Sequence, residues 1–186
     1  MTPIDKQLLI KKAMAGNADS FTELMQFYMK DMYRVGLAIL MNDEDVADAI
    51  QDTILACWEK IHTLREPAFF KTWLTKILIN KCYDILRKSP GYLPLEEAVY
   101  NQPAPEKQDN LELKEALSTL NEKYRIVMIL FYSEGYHVDE IAALLKLPKS
   151  TVTTRLQRGR EKLAAYYGVA ERTGKNEKRH KHHFKK

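Results

Sequence analysis

The sequence predicts an all-α protein made of two small helical domains joined by a flexible linker, the C-terminal one containing a helix-turn-helix. Three observations carry this. Apolar residues recur at three- and four-residue intervals through most of the chain, and no strand-like alternation persists. Residues 89–110 break the pattern with Pro90, Gly91, Pro94, Pro103 and Pro105. Near the end of the chain, two helical segments separated by only about three to four residues, the second strongly basic, have the outline of a helix-turn-helix.

Taken in order, Thr2 as N-cap and Pro3 at the first helical position open a short helix to about Met14, stopped by Gly16. Ser20-x-x-Glu23 reads as a capping box for a second helix, where Phe21, Leu24, Met25, Tyr28, Met32, Val35 and Ile39 form one stripe through Leu40. A third helix starts in the acidic run from Asn42 to Asp45, where carboxylates suit the N-terminal dipole. It places Val46, Ile50, Ile54, Trp58 and Ile61 on one face. Residues 62–67 break it. A fourth helix, about 68–88, buries Phe70, Trp73, Leu74, Ile77, Leu78 and Ile85 and ends favourably in Arg87-Lys88.

The 22 residues of the linker could reach at most ~70 Å, enough to hold two DNA-contacting domains more than one duplex turn apart. Residues 111–120 predict a fifth helix. Asn121 caps a sixth to about Ser133, with Gly135 at its C-terminal stop. Helices over 138–145 and 150–167 follow, joined at Lys146-Leu147-Pro148-Lys149. After Gly168 the composition turns to Lys, Arg, His and Gly, the signature of a disordered tail. The domains are therefore expected at 1–88 and 111–168, with the linker at 89–110 and the basic tail at 169–186.

With 186 residues, 45 % of them apolar, and 29 Lys+Arg against 25 Asp+Glu, the composition fits a soluble globular chain and excludes a disulfide scaffold. Cys57 and Cys82 lie in apolar-periodic segments and read as core residues. Charges interrupt every apolar run before the ~18–20 residues a bilayer span needs, and the first residues lack the basic start of a signal peptide, so the expected location is the cytoplasm. The net charge of +4 conceals a division: residues 1–90 sum to 0, residues 91–112 to −4, and residues 113–186 to +8. That asymmetry points to a nucleic-acid partner for the C-terminal part.

Three surfaces stand out. On the basic helix, Ser150, Thr151, Thr153, Thr154, Arg155, Arg158 and Arg160 lie on the exposed side, while Ile141, Ala142, Leu145, Val152 and Leu156 pack the helix pair. Hydroxyls at a helix start approach phosphates and base edges, and guanidinium forks read guanine or clamp phosphate. On the third helix, Asp45, Asp48, Gln51, Asp52 and Glu59 make an acidic ridge opposite the apolar stripe. Such a ridge repels DNA and suits a basic protein surface. The fourth helix exposes Lys71, Lys76, Asn80, Lys81, Arg87 and Lys88 beside Phe69, Phe70, Trp73 and the loop Leu64-Arg65-Glu66-Pro67, a mixture suited to single-stranded DNA. Trp58 and Trp73 read as packing residues, which leaves the loop and Asn80 as the better base contacts. No segment gathers a nucleophile, a base and an orienting group, so no enzyme, small-molecule substrate, cofactor or metal site is expected.

Two ordered sets of residues resemble a known family. The first is Asp48-x-x-Gln51-Asp52-Thr53-x-x-x-x-Trp58 followed by Phe70-Lys71-Thr72-Trp73-Leu74-x-x-Ile77-x-x-Asn80-x-x-x-Asp84-x-x-Arg87-Lys88. The second is Leu120-x-x-Lys123-Tyr124-Arg125 and then Val138-x-Glu140-Ile141-Ala142-x-x-Leu145-x-x-Pro148-x-x-Thr151-Val152-x-x-Arg155-Leu156-x-Arg158-x-Arg160. Together, over about residues 18–166, they resemble the extracytoplasmic-function (group IV) sigma factors of bacterial RNA polymerase.

The resemblance implies that the first domain binds the polymerase clamp through Asp45, Asp48, Gln51 and Asp52. It implies that Leu64, Arg65, Glu66, Pro67, Lys71, Lys76 and Asn80 capture the unstacked −10 element. Ser150, Thr151, Thr153, Thr154, Arg155, Arg158 and Arg160 would read the −35 duplex. Core RNA polymerase, promoter DNA and an anti-sigma factor, often membrane-anchored, are the implied partners. Departures from the family pattern are Lys146, at a turn position usually Gly, Thr153 in place of a basic residue, and Gln157 in place of an aromatic or His. A rival reading is an autonomous helix-turn-helix regulator whose N-terminal helices serve as a sensor or dimerisation module.

Overall fold

The computed structural model describes residues 3–88, 115 and 117–168, all helix, turn or loop. The expected linker, the tail, the Thr2 cap and most of the expected 111–120 helix lie outside the described residues.

Helix α1 (Pro3–Met14) and helix α2 (Ala18–Leu40) are joined through Gly16 and Asn17. The expected capping box at Ser20 is corrected: Asn17 is the cap, its side chain accepting the Ser20 N–H at 2.8 Å. Ser20 itself is buried in the first turn, where its amide is one of the donors a helix start leaves unpaired. The expected stripe of α2 is buried from Phe21 to Ile39. Met41 then ends the helix in the left-handed region at φ 54°, donating its N–H to Leu37 O.

Asn42 caps α3 (Asp43–Lys60), accepting the Asp45 N–H at 2.9 Å, with Asp43, Glu44 and Asp45 in the first turn as the dipole favours. The buried face is Val46, Ala49, Ile50, Thr53 and Cys57, and Trp58 is corrected to a surface residue, 41 % exposed. Small side chains at 49, 53 and 57 line the buried side, which turns the indole outward onto the edge of Phe21, 5.0 Å between ring centroids. Thr53 joins the core at little cost because its hydroxyl donates to Ala49 O at 2.6 Å.

Short 3-10 turns at Ile61–Thr63 and Pro67–Phe69 lead into α4 (Phe70–Lys88), which therefore starts two residues later than expected. Phe70, Leu74, Leu78 and Cys82 are buried, while Trp73, Ile77 and Ile85 are only partly covered. Helices α1, α3 and α4 all pack on α2, and α3 also packs along α4.

In the second half, α5 (Glu122–Met128) is capped by Asn121 and runs into a π-helical turn at Ile129–Ser133. Helices α6 (Val138–Leu145) and α7 (Lys149–Tyr166) form the helix-turn-helix. Ile141, Ala142, Val152 and Leu156 are buried between them as expected, and Leu145 is partly so. Lys146 closes α6 at φ 55°, ψ 44°, the left-handed conformation its family position implies, and donates its N–H to Ala142 O. Gly159 allows the crossing of α5 and α7: a Cβ there would lie 3.0 Å from Met128 and 3.7 Å from Tyr124.

The domains, which the linker length would allow to stand far apart, are in contact here, α5 lying against α2. Arg125 of α5 is 7 % exposed, and its Nε donates to Ala38 O at 2.6 Å while Nη1 donates to Leu120 O at 2.9 Å. Ala38 O is among the last four carbonyls of α2, which no intrahelical donor reaches, so the guanidinium caps a helix of the other domain. Burial lowers the Arg125 pKa to about 10, which leaves the group charged at neutral pH. Beside it, Glu122 accepts the Tyr83 O–H at 2.9 Å, and burial raises its carboxyl above the usual range.

Candidate protein and nucleic-acid interface

The acidic ridge forms as expected on the outer face of α3. Asp48, Gln51 and Asp52 are exposed and Asp45 is half-buried at the capped end. Asp52 meets Lys81 of α4 at 3.6 Å with 60 % of its side chain exposed, a surface pair that leaves the carboxylate accessible. One turn further on, Leu55 is 57 % exposed next to Trp58. The ridge therefore sets its carboxylates beside two exposed apolar side chains, Leu55 and Trp58. Periodicity hid both residues: Trp58 fitted the apolar stripe, and Leu55 lay off it.

On the loop and α4, Arg65, Glu66, Lys76 and Asn80 are exposed and Pro67 is half-buried. Leu64 departs from its expected role as a base contact: it is 8 % exposed and sits in the core cluster, where it fastens the loop to the domain. Phe69 is 63 % exposed beside the loop and offers a face on which a base could stack. Lys71 is engaged: its Nζ donates to Glu134 O at 2.6 Å and lies 3.5 Å from the Glu134 carboxylate.

The third surface is a cleft of about 340 Å³ lined by Lys123 and Tyr124 of α5 and by Ser150, Thr151, Thr154, Arg155 and Arg158 of α7. Five of the expected −35 residues therefore share a wall with two residues of another helix. Lys123 and Lys162 flank the Tyr124 ring, at 5.5 and 5.9 Å from its centroid. The cleft brings Lys123 of α5 together with Arg155 and Arg158 from the second and third turns of α7, and these cations favour an anion. Thr153 and Thr154 donate their hydroxyls back to Lys149 O and Ser150 O, which leaves methyl groups and oxygen lone pairs facing outward. Arg160 is exposed further along, its Nε donating to Leu156 O at 3.3 Å. An exposed ion pair, Lys149 with Asp139 at 2.6 Å, bridges the two helices of the motif.

Cys57 and Cys82 are buried and free, their thiols pushed up to about 12 by burial, which makes them inert core residues. Among the described residues no cluster of His, Cys, Asp and Glu could hold a metal, and no helix is long and apolar enough to cross a membrane.

A helical domain with an acidic, partly apolar face, followed by a basic helix-turn-helix, is the layout of a two-part sigma factor. Residues 24–90 match the family described as Sigma-70 region 2, and residues 110–163 match Sigma-70, region 4. The chain is 30 % identical over 172 residues to the ECF RNA polymerase sigma factor SigW of Bacillus subtilis, covering 83 % of this chain and 92 % of that one. Its fold is similar to that of CnrH solved in complex with the cytosolic domain of CnrY, with TM-score 0.64, 26 % identity, and coverage of 88 % of this chain and 97 % of that one. It is also similar to RpoE from Bartonella quintana solved with the anti-sigma factor NepR, with TM-score 0.63, 23 % identity, and coverage of 82 % and 99 %. The chain belongs to the extracytoplasmic-function sigma factors, alternative sigma factors that direct transcription initiation by RNA polymerase. That membership decides against the autonomous regulator.

Proposed function

We propose that the chain divides this task between its oppositely charged surfaces. The face of α3 carrying Asp45, Asp48, Gln51 and Asp52, with Leu55 and Trp58, docks core RNA polymerase. Arg65, Glu66, Pro67, Lys71, Lys76 and Asn80 engage the unstacked −10 element, and the α5–α7 cleft with Ser150, Thr151, Thr153, Thr154, Arg155, Arg158 and Arg160 holds the −35 duplex. Residues 1–88 and 111–168 act as the two functional domains. The factor works in the cytoplasm, catalyses no reaction of its own, and is held inactive by an anti-sigma factor. The observation that carries the reading is the segregation of charge: exposed carboxylates on the outer face of α3, and cations gathered in the α5–α7 cleft.

Run-off transcription with core polymerase and promoter fragments tests it. Full-length protein should initiate at discrete sites only when core polymerase is present. Arg155→Ala and Arg158→Ala should each weaken −35-dependent transcription by ~1–3 kcal/mol if they read bases. An equal loss on scrambled −35 sequences would reassign them to phosphate contacts.

A further inference from the structure

We propose that Glu134 is the bolt of a reversible interdomain latch that, in the closed arrangement seen here, withholds Lys71 from single-stranded DNA. The DNA half of this inference rests on the placement of Lys71 in the −10 surface.

The latch begins in the local backbone. The π-helical turn at Ile129–Ser133 lets the Glu134 N–H donate to Ile129 O at 3.0 Å, five residues back, and the Tyr136 N–H donate to Leu130 O at 3.0 Å. Gly135 makes the reversal at φ +72°. Each residue of a regular helix turns the chain by about 100°, so a turn widened by one residue re-aims every side chain that follows. Here it points both Glu134 and Tyr136 at the other domain.

The Glu134 side chain is 2 % exposed, and its Oε1 accepts the Arg34 Nε–H of α2 at 3.0 Å. Its carboxylate and its own carbonyl both face Lys71 Nζ, and that ammonium also lies 5.1 Å from the centre of the Tyr136 ring. One turn along α4, Thr75 Oγ1 and Tyr136 Oη share a hydrogen bond of 2.8 Å. Glu134 and Tyr136 of the C-terminal domain thus engage two successive turns of the helix that presents Lys71.

Two features make this a latch rather than a fixed seam. The contacts that Glu134 and Tyr136 make are polar and charge-assisted, so water or phosphate oxygens can replace them. Burial is also one-sided: the Arg34 and Lys71 side chains stay 41 % and 33 % exposed while the carboxylate between them is covered. On opening, both cations rehydrate with little rearrangement, and Lys71 exchanges one anion, Glu134, for another, a DNA phosphate. The Arg125 and Tyr83–Glu122 contacts must part as well, so removing Glu134 weakens closure rather than abolishing it.

The test uses the full chain without polymerase. Small-angle scattering reads domain separation, and fluorescence anisotropy reads binding of a labelled single-stranded −10 oligonucleotide. Glu134→Lys should raise the radius of gyration and tighten oligonucleotide binding by roughly tenfold, since apparent affinity scales with the open fraction. Glu134→Gln should move both readouts less, in the same direction. Glu23→Lys makes the same charge change on the outer side of α2 and should move neither. Adding Lys71→Ala to Glu134→Lys should keep the expanded dimensions and cancel the gain in binding. Far-UV circular dichroism checks that the helices remain, and Tyr136→Phe supplies a milder opening should Glu134→Lys lose helix. Unchanged dimensions in the folded latch variants would overturn the latch. Expansion without tighter binding would overturn the withholding of Lys71 and, with it, that residue's place in the −10 surface.

Discussion

Among the described residues, the N-terminal domain closes 22 buried apolar side chains around α2 and the C-terminal helices close 13, while the two buried charged residues, Arg125 and Glu134, both belong to the smaller side and both reach across to the larger. The difference follows from size. A domain of some fifty residues buries too little apolar surface to be secure alone, and an added interface supplies part of what is missing. That interface joins the buried apolar residues of both halves in one cluster and adds a guanidinium on helix-end carbonyls and a carboxylate between cations, polar contacts that steady the small domain while water can still replace them. The large domain needs no such help, and the outer face of α3 stays exposed.

The largest effect should come from breaking that freedom. Asp48→Arg together with Asp52→Arg reverses the sign of the α3 ridge and should abolish co-purification with core polymerase. Both side chains are exposed, and the ion pair lost, Asp52 with Lys81, is a surface pair, so the unfolding free energy in urea should stay within about 0.5 kcal/mol of wild type. Undiminished polymerase binding would remove α3 from the docking surface.

The dependence of the small domain on the large one is tested next. Arg125→Ala leaves Ala38 O and Leu120 O without their donor and removes a charge already desolvated in the fold, so it should cost about 2–4 kcal/mol in chemical denaturation. The loss should appear first in the C-terminal helices, measurable as faster amide exchange over α5 to α7 than over α2 to α4. A uniform rise in exchange would mean that the domains unfold as one unit and that the comparison above is too sharp.

What the sequence reveals about each domain divides along the same line. The stripe of α2, the acidic start of α3 and the helix-turn-helix are local patterns, and they were legible because one helix period or one turn contains them. Trp58 was misread because the small residues Ala49, Thr53 and Cys57 turn the buried face of α3 away from it, a property of the helix packed beside it. Leu64 is indistinguishable in sequence from its exposed loop neighbours, because a loop sequence does not tell which of its side chains anchors it. Lys123 of the cleft, and the pairing of Glu134 with Arg34, 100 residues away, depend on tertiary contact. The π turn that aims Glu134 has no signature in Ile129 to Ser133, all of which fit an ordinary helix.

The smallest effect concerns two turns of the small domain that use the same backbone region with different residues. Lys146 holds φ 55° and Gly135 holds φ +72°. A side chain in the left-handed region costs on the order of 1 kcal/mol, and glycine avoids it at the expense of a more flexible unfolded chain. Lys146→Gly should therefore stabilise the protein, by at most about 1 kcal/mol, with −35 recognition unchanged. Gly135→Ala should destabilise by about the same amount, and since nothing lies within 4 Å of the added Cβ, its whole cost is conformational. A matched pair of urea midpoints displaced in opposite directions would place the strain of this domain in its helix-turn-helix. If Gly135→Ala cost well over 1 kcal/mol, the excess would measure what the latch gains from the turn that aims Glu134.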